Sequence, residues 1–478
     1  MEANCMKVIY LWSIIVAIVL PSFARSGERP NILFIFADDF AYDCVAATGN
    51  TQIKTPNIDR LVRQGTTFCR AYNMGSFAPA VCVSSRMMLN SGRFLWSSQK
   101  LHEEADQQRE AGRWWSQYMK VAGYETYMTG KWHLKAAVEK SFDHVTHVQP
   151  GMPEPTKEGY NRPTPDRSDR WSPYDPKFGG YWEGGTHWSE LLADDASRFL
   201  AHAAAQEKPF FMYLAFNAPH DPRQAPKEFV DRYPPDSIEL PKPFLAAYPY
   251  NKLEGLRPNR RDESTAPSPR TKHGVQVNRS EYYAIITHLD VQVGRILDAL
   301  EKTGKADETW IVFTADHGLG VGHHGLMGKQ NMYDHSVRVP FVVVGPNISS
   351  DHTITVPIYL QDIMPTTLEL AGVDKPDHVD FKSILPLLTD NTADHHGAIY
   401  TAYRDEQRAV TDNGYKLIVY PTYPVARLYH LDSDPDETVD LAGDIASKPI
   451  MKKLFAKLLE LQNKFDDKLD LKSAFPEL

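Results

Sequence analysis

Short, predominantly apolar runs alternate with helical patterns along most of this chain, and polar side chains follow the runs where they end. The apolar runs cover residues 31–37, 124–129, 210–216, 310–315 and 339–344. Runs of this length are typical of strands that are buried on both faces of a sheet. The alternation therefore predicts an α/β fold in which a mainly parallel, mixed sheet lies between helices.

The pattern changes near residue 393, where short alternating strands replace the buried runs. Strands are expected at 398–403, 407–411, 415–420 and 428–431, with a tight hairpin at Asp412-Asn413-Gly414. A helix is expected at 448–465. We therefore predict a large α/β domain at residues 25–392 and a small C-terminal α+β subdomain at 393–478 that contains an antiparallel sheet.

The first 24 residues have the organisation of an export signal. Lys7 precedes an apolar run over residues 8–20, which is too short to span a bilayer, and Ser22-Phe23-Ala24 offers small residues to a signal peptidase. We expect cleavage after Ala24, a periplasmic or secreted protein and no stable membrane insertion; an uncleaved anchor is the alternative. The net charge of −9 argues against nucleic acid as a partner.

If the protein is exported, its number of cysteines bears on whether a disulfide forms. Cys5 would leave with the signal, so Cys44, Cys69 and Cys82 remain in an oxidising compartment. Either Cys44 and Cys69 form a disulfide and Cys82 is left over, or all three are buried free thiols. The sequence is compatible with both alternatives.

Two long segments, residues 149–188 and 241–278, are rich in Pro, Gly, Arg and aromatic residues. They are too polar for a core and long for plain connections, so we expect ordered loops around a site. Aromatic and arginine side chains in the first segment are candidates for binding an anionic sugar: Tyr160, Arg162, Arg167, Arg170, Trp171, Tyr174, Tyr181, Trp182 and Trp188. The alternative is that several of them pack the loop against the protein.

Side chains with acid–base or ligand chemistry follow four of the predicted strands. In an open parallel sheet, ligands bind beyond the carboxyl ends of the strands, so these side chains should converge on one site. The residues are Asp38, Asp39, Lys131, His133, His220, Asp316 and His317.

Asp38, Asp39 and Asp316 form a predicted cluster of hard oxygen donors. Adjacent carboxylates after a buried strand repel each other unless a cation or hydrogen-bond donors compensate them. Oxygen donors suit Ca²⁺, with Mg²⁺ as the alternative. Imidazole suits softer metals, so His317 either lies just outside the first coordination shell or belongs to a less strict site.

Two lysines and two histidines supply the remaining candidate chemistry. Lys131 and Lys329, the latter in a Gly-rich loop at residues 322–329, are suited to binding a tetrahedral oxyanion. His133 and His220 are candidate proton carriers because imidazole titrates near neutral pH.

The run Cys82-Val83-Ser84-Ser85-Arg86 resembles the C-x-P-S-R signature of type I, formylglycine-dependent sulfatases in the alkaline phosphatase superfamily. The run differs from this signature at one position, where Ser84 replaces the proline of the family. Similar segments follow in family order at 31–39, 55–65, 82–92, 129–133, 217–222, 282–304 and 314–340. The resemblance implies an alkaline-phosphatase-like fold and makes residues 25–392 the catalytic sulfatase domain.

The resemblance also implies a nucleophile. A maturation enzyme would oxidise Cys82 to formylglycine, whose hydrated aldehyde is activated by Arg86 and by a bound metal. The metal would be held by Asp38, Asp39, Asp316, His317 and the modified Cys82. The proline of the signature is read during maturation, so Ser84 bears on the efficiency of conversion more than on the folded site.

The remaining roles are implied in the same way. His220 would protonate the leaving alcohol, Lys131 and Lys329 would bind the sulfate oxygens, and His133 would assist release of sulfate. We therefore expect an exported sulfatase that acts on sulfated carbohydrates. The alternatives are a phosphomonoesterase or phosphonate monoester hydrolase of the same superfamily, or a catalytically silent glycan-binding homologue in which Cys82 stays a thiol.

Overall fold

A computed structural model describes residues 29–478 apart from 155, 165, 167 and 391–393. The predicted signal peptide and the predicted domain boundary at 392/393 lie outside the described residues, so both stay predictions. The strands are β1 Asn31–Ala37, β2 Thr66–Phe68, β3 Ala71–Tyr72, β4 Gly75–Ser76, β5 Glu125–Lys131, β6 His144–Gln149, β7 Trp182–Glu183, β8 Thr186–His187, β9 Phe210–Ala215, β10 Thr309–Ala315, β11 Arg338–Val339, β12 Phe341–Val344, β13 His352–Ile354, β14 Ile358–Tyr359, β15 Ile399–Tyr403, β16 Gln407–Asp412, β17 Tyr415–Tyr420 and β18 Val425–His430.

Helices flank these strands. The α-helices are α1 Pro56–Gln64, α2 Val81–Ser91, α3 Leu95–Leu101, α4 Ala105–Glu110, α5 Trp115–Val121, α6 Val138–Ser141, α7 Trp188–Ala204, α8 Lys227–Val230, α9 Lys272–Lys302, α10 Asp334–Val337, α11 Ile363–Leu370, α12 Leu385–Thr389 and α13 Lys448–Lys464. No helix among the residues described combines the length and the apolar character needed to cross a membrane.

An eight-stranded sheet forms the centre of the protein, in the order β13-β2-β12-β10-β1-β9-β5-β6. β1 pairs in parallel with β10 and β9, and β5 pairs in parallel with β9 and β6. Every residue of β1 is buried, as expected for a strand covered on both faces. The predicted mainly parallel, mixed sheet between helices is confirmed.

The strand register brings four strand ends to one edge. Ala37 at the end of β1 lies opposite Ala315 of β10, and Phe36 lies opposite Ala215 of β9. Ala215 in turn lies opposite Gly130 near the end of β5. The residues that follow these strands therefore begin side by side, which is the arrangement that the sequence predicted.

The apolar run at residues 339–344 does not form one continuous strand. It is interrupted at Pro340, which has no N–H to donate to a sheet. The residues before it form β11 in a small three-stranded sheet, whereas β12 pairs antiparallel to β10 in the main sheet.

A second, five-stranded sheet has the order β18-β17-β16-β15-β4, with α13 packed against β16 and β17. The predicted hairpin at residues 412–414 is confirmed, with Asn413 and Gly414 at φ values of 49° and 76°. β4 comes from the N-terminal half of the chain and pairs in parallel with β15. Because β4 lies only a few residues before α2, this sheet is joined directly to the segment that carries Cys82.

The described cysteines are free. Cys44 and Cys82 are buried and Cys69 is half-buried, and no disulfide joins any two of them in the described chain. The structure thus has the free-thiol arrangement, although Cys69 is less buried than that alternative supposed.

The loop at residues 149–188 is ordered by packing more than was expected. Tyr181 is fully buried and its hydroxyl donates to the carbonyl oxygen of Asn217 at 2.7 Å, while Trp171 is 6% exposed. Arg162 is buried and paired with Asp169 and Glu281. The expectation that these side chains form a sugar-binding surface is therefore wrong for Tyr181, Trp171 and Arg162.

Candidate active site

The ten side chains predicted to form the site converge at the carboxyl edge of the main sheet. Each lies near at least one other member of the group, and all except His133 have less than a tenth of their surface exposed. They are Asp38, Asp39, Cys82, Arg86, Lys131, His133, His220, Asp316, His317 and Lys329.

The backbone turns sharply where the strands deliver these residues. Asp39 and His133 have φ values of 64° and 59°, in the left-handed region that is unusual for side chains of their kind. Gly130 has φ 92°, and a Cβ there would lie 2.0 Å from the carbonyl oxygen of Ala215. Only glycine fits this position of β5, one residue before Lys131.

Cys82 is the second of the 11 residues of α2 and therefore lies in the first turn of this helix. Unpaired N–H groups and the helix dipole make such an N-terminus favourable for a negative charge. Burial alone raises the pKa of the Cys82 thiol, but Lys131, Lys329 and hydrogen bonds with His133 and His220 bring it well below its ordinary value. The site is thus built around Cys82, which is surrounded by cationic groups.

Ser84 has a structural function where the family signature has proline. Its hydroxyl lies 2.8 Å from the hydroxyl of Ser76 and accepts a hydrogen bond of 3.2 Å from the N–H of Phe77. Ser84 is fully buried. The hydroxyl therefore ties α2 to β4 and to the loop that leads from β4 to Cys82.

A buried network of opposite charges lies beneath Cys82. Lys131 Nζ donates to Asp38 Oδ2, and the guanidinium of Arg86 lies 3.2 Å from Asp316 Oδ2. Arg86 also donates a hydrogen bond of 2.8 Å to the carbonyl oxygen of Lys131. Burial alone raises the pKa of Asp316, but His317 and Arg86 lower it to about 2.

Lys329 joins Cys82 to the buried carboxylates. Its Nζ donates to both oxygens of Asp39, at 2.8 and 2.7 Å, and lies 3.9 Å from Cys82 Sγ. Burial lowers the pKa of Lys329, but Asp39 and Cys82 raise it well above its ordinary value. Lys329 is thus a permanent cation beside Sγ.

His220 is oriented by a carboxylate that the sequence reasoning did not single out. His220 Nδ1 lies 3.0 Å from Asp221 Oδ1 and 2.7 Å from the carbonyl oxygen of Asp221. This leaves Nε2 directed to Asp39 Oδ2 at 3.8 Å and to Arg261 at 3.4 Å. Burial lowers the pKa of His220, but Asp39 and Asp221 raise it to about 10.

An open cleft of about 530 Å³ leads to these groups. Cys82, His133, His220 and Lys329 lie along it together with residues of both long loops, 150–154 and 260–262. The prediction that the two loops border a site is therefore confirmed. A cavity of this volume holds a small organic ligand.

The loops also add two residues that the sequence reasoning missed. Arg261 donates to Asp262 Oδ1 at 2.7 Å, and Asp262 accepts a hydrogen bond of 2.6 Å from Gln330. Asp221 directly follows His220 in the chain, so that carboxylate was within reach of sequence reasoning. Arg261 and Asp262 lie in a loop without a recognisable pattern.

The donor set fits a divalent cation. Ligand atoms of Asp38, Asp39, Cys82 and His317 lie within 4.8 Å of one another. Asp38 Oδ1 and His317 Nε2 are buried and have no hydrogen-bond partner among the residues that the structure describes. Burial and the neighbouring Asp316 raise the pKa of Asp38 well above its ordinary value, a repulsion that a bound cation would remove.

The predicted ligands Asp316 and His317 take different places around this cluster. Asp316 uses one carboxylate oxygen for Arg86 and accepts the N–H of Asp39 at 3.2 Å on the other. His317 Nε2 faces the cluster, 3.1 Å from Asp39 Oδ1, while its Nδ1 lies 2.9 Å from the carbonyl oxygen of Gly318. His317 is therefore positioned among the possible ligands.

Comparisons with known proteins agree on one family. A family model described as Sulfatase matches residues 30–373, and a model described as N-sulphoglucosamine sulphohydrolase, C-terminal, matches residues 322–464. An N-acetylglucosamine-6-O-sulfatase of Bacteroides thetaiotaomicron is 26% identical over 92% of this chain and 87% of its own length.

Solved structures show the same fold. One, described as a complex with its substrate D-glucosamine-2-N,6-O-disulfate, superposes with a TM-score of 0.71 and 23% identity, covering 93% of this chain and 100% of its own. The phosphonate monoester hydrolase of Agrobacterium radiobacter also superposes with a TM-score of 0.71, at 22% identity, covering 91% of this chain and 96% of its own. At these identities the structures establish the alkaline-phosphatase-like fold.

The donor set predicts one site for a divalent cation, which we expect Ca²⁺ to fill. Chelator-treated protein should bind one Ca²⁺ per chain in a calorimetric titration, and Asp39→Asn or Asp316→Asn should abolish binding while circular dichroism stays unchanged. An amide cannot replace the charge of either carboxylate. Asp432→Asn is the matched control, because that carboxylate is exposed and pairs only with Arg70 among the ion pairs described. Unchanged binding in both active-site variants would refute the site.

Proposed function

The chain belongs to the sulfatase family, and from this premise we propose that it is an exported sulfatase that hydrolyses sulfate esters of carbohydrates. The observation that carries the proposal is Cys82, which lies at the N-terminus of a helix with Lys329 3.9 Å from its sulfur. The carbohydrate class is supported by the disulfated glucosamine bound in one superposed structure and by the N-acetylglucosamine-6-O-sulfatase relative.

The charge balance of the site supports an anionic ester. Arg86, Lys131 and Lys329 offset the carboxylates of Asp38, Asp39 and Asp316. A divalent cation would then leave the site with a net positive charge, which attracts a sulfate ester. Lys131 and Lys329 are the groups that would bind the sulfate oxygens, since an ammonium group donates in any direction.

We assign formylglycine to position 82, formed from Cys82 by a maturation enzyme. This group supplies a hydrated aldehyde with two oxygens, so that one can attack sulfur and the other can later expel sulfate. Arg86, which lies one helical turn after Cys82, and the cationic groups around Sγ are placed to hold a negative charge on that position. The metal that would assist is Ca²⁺, with Mg²⁺ as the alternative, held by Asp38, Asp39, Asp316, His317 and position 82.

The two histidines have different positions, and we assign them different proton transfers. Asp221 occupies Nδ1 of His220, so Nε2 faces the cleft and is placed to protonate the leaving oxygen. His133 packs against Gly151, where a Cβ would lie 2.4 Å from its Nε2. This confined imidazole is placed to take a proton from position 82 when sulfate leaves.

Substrate selectivity tests the proposed reaction. Purified protein should hydrolyse a nitrophenyl sulfate with a kcat/KM far above that for the matched phosphate monoester and phosphonate monoester, and defined sulfated saccharides should identify the sugar. A preference for either phosphorus ester would replace the proposal with a phosphomonoesterase or phosphonate monoester hydrolase, the alternatives that share this fold.

The state of position 82 should set the specific activity. Mass spectrometry of the peptide containing Cys82 should reveal thiol and aldehyde forms, with activity proportional to the aldehyde fraction and absent in Cys82→Ala. Ser84→Pro should raise the aldehyde fraction and the activity together. Sulfate release by protein whose Cys82 is wholly unmodified would contradict the assignment.

A matched variant separates maturation from folding at Ser84. Ser84→Ala and Ser84→Pro both remove the hydrogen bonds to Ser76 and Phe77, so both should lower the thermal unfolding midpoint. Only Ser84→Pro should raise the aldehyde fraction, because only it restores the family signature. Equal aldehyde fractions in the two variants would show that the proline is not what the maturation enzyme reads here.

The proton-transfer assignments predict different substrate profiles. His220→Ala should reduce turnover by about 10²–10⁴-fold on sugar sulfates and much less on a nitrophenyl sulfate, whose leaving group needs no proton. Asp221→Asn should have the same profile with a smaller loss. His133→Ala should slow both substrates equally. Equal losses on both substrates in all three variants would refute these roles.

A further inference from the structure

A buried carboxylate lies behind the Gly-rich loop that carries Lys329. Glu263 belongs to the long loop at residues 241–278 and is 1% exposed. Its Oε2 accepts the N–H of Met327 at 3.0 Å, and its Oε1 accepts the N–H of Gly328 at 2.8 Å. One side chain therefore holds the two backbone N–H groups that directly precede Lys329.

The backbone pairing of the Gly-rich loop explains why these two N–H groups need a side chain. The carbonyl oxygens of Leu326, Met327 and Gly328 accept hydrogen bonds from the N–H groups of residues 320–322. This pairing uses the acceptors of the segment and leaves the N–H groups of Met327 and Gly328 without a backbone partner among the hydrogen bonds described. Buried N–H groups that lack an acceptor are costly. Glu263 supplies the two acceptors that the segment requires.

The carboxylate of Glu263 is itself held by a buried cation. Arg270 donates to Glu263 Oε2 at 2.6 Å and to the carbonyl oxygen of Gly325 at 3.0 Å. The side chains of Arg270 and Glu263 are 3% and 1% exposed. Because a buried carboxylate with all these donors cannot rotate without breaking hydrogen bonds, Glu263 is a rigid support for the loop.

The residue before Glu263 holds the other side of Lys329. Asp262 Oδ2 accepts a hydrogen bond of 2.6 Å from the side chain of Gln330, whose own Oε1 accepts the N–H of Lys329 at 3.2 Å. A Cβ at Gly328 would lie 2.9 Å from Glu263 Oε1 and 3.0 Å from the Cβ of Asp262. Only glycine permits the two acidic residues to approach the loop so closely. Asp262 and Glu263 therefore hold the chain on both sides of Lys329.

The position of this backbone matters because the lysine side chain is long. A lysine ammonium group lies at the end of a flexible stem of four carbons, so the location of Nζ depends on where the backbone is held. Nζ of Lys329 contacts both oxygens of Asp39 and lies 3.9 Å from Cys82 Sγ. A displacement of about 1 Å at a reacting centre can reduce the rate by about 10²-fold.

We propose that Glu263 is a positioning residue, which fixes the backbone that precedes Lys329 so that the ammonium group is held beside position 82. The long loop at residues 241–278 would then contribute to the geometry of the reaction, besides bordering the cleft. This role rests on the binding of ester oxygens proposed for Lys329, and it holds for a sulfur ester and a phosphorus ester alike.

A double-mutant cycle in the full-length mature protein tests this role, with activity on a nitrophenyl ester expressed per chain modified at position 82. Glu263→Gln keeps the size of the side chain but offers an acceptor to only one of the two N–H groups. Lys329 should therefore move, and kcat/KM should fall by about 10–10²-fold. Lys329→Ala should lower kcat/KM by about 10²–10³-fold. The double variant should be no worse than Lys329→Ala, because the lysine that Glu263 positions is gone.

A merely structural effect of Glu263 would give a different result, since it would weaken the protein in both backgrounds and the two losses would multiply. Glu281→Gln is the matched control. Glu281 is also buried and pairs with Arg162, and no hydrogen bond described for its carboxylate reaches residues 326–330. Any loss in this control should be the same factor with and without Lys329. Multiplying losses for Glu263→Gln would overturn the proposal.

A second variant covers the case in which Glu263→Gln fails to fold. Glu263→Asp keeps the negative charge beside Arg270, but its carboxylate is one methylene short of the two N–H groups. It should fold and lose a smaller part of kcat/KM, and again cause no further loss in Lys329→Ala. An unchanged kcat/KM in Glu263→Asp and Glu263→Gln would overturn the proposal.

Calorimetric titration with sodium sulfate, or with sodium phosphate if the phosphorus ester is preferred, gives the same cycle without turnover. Glu263→Gln and Lys329→Ala should each bind the anion more weakly than wild type, and the double variant no more weakly than Lys329→Ala. Unchanged kcat/KM and anion binding in Lys329→Ala would refute the proposed role of Lys329, and the positioning role with it. Losses in Lys329→Ala that multiply with those of Glu263→Gln would overturn the positioning role alone.

Discussion

Buried carboxylates at the carboxyl edge of the main sheet are paired with buried cationic side chains, and the rest of the structure depends on this pairing. Two unit charges about 4 Å apart interact by about 4 kcal/mol at an effective dielectric constant of 20, so adjacent carboxylates without partners would be strongly unfavourable. Lys131 and Lys329 each bind one carboxylate of the pair Asp38 and Asp39, and Arg86 binds Asp316. These side chains come from separate elements, and the site exists only where the fold brings them together.

The network explains how distant parts of the chain support one position. α2 presents Cys82 above the charges, while Ser84 ties that helix to Ser76 at the end of β4. β4 is also the fifth strand of the second sheet, through its pairing with β15. The C-terminal sheet is thus part of the support of the active site.

The site was largely predictable because its residues follow buried strands. Parallel strands bring their carboxyl ends to one edge, so the placement of Asp38, Lys131, His220 and Asp316 after apolar runs was enough to group them. The packing of the 149–188 loop was not predictable, since composition does not distinguish a ring that binds a ligand from one that fills a gap. Tyr181 belongs to the second kind.

The sequence by itself determined the fold class, the set of candidate groups at the strand ends and, through the resemblance around Cys82, the family. These follow from local patterns, because a strand buried on both faces and a short motif can each be recognised from consecutive residues. The tertiary structure alone decided that β4 joins the C-terminal sheet and that Arg261 reaches His220. Each of these features depends on contacts between segments far apart in the chain or on side-chain orientation. Such contacts and orientations leave no periodic signal in the sequence.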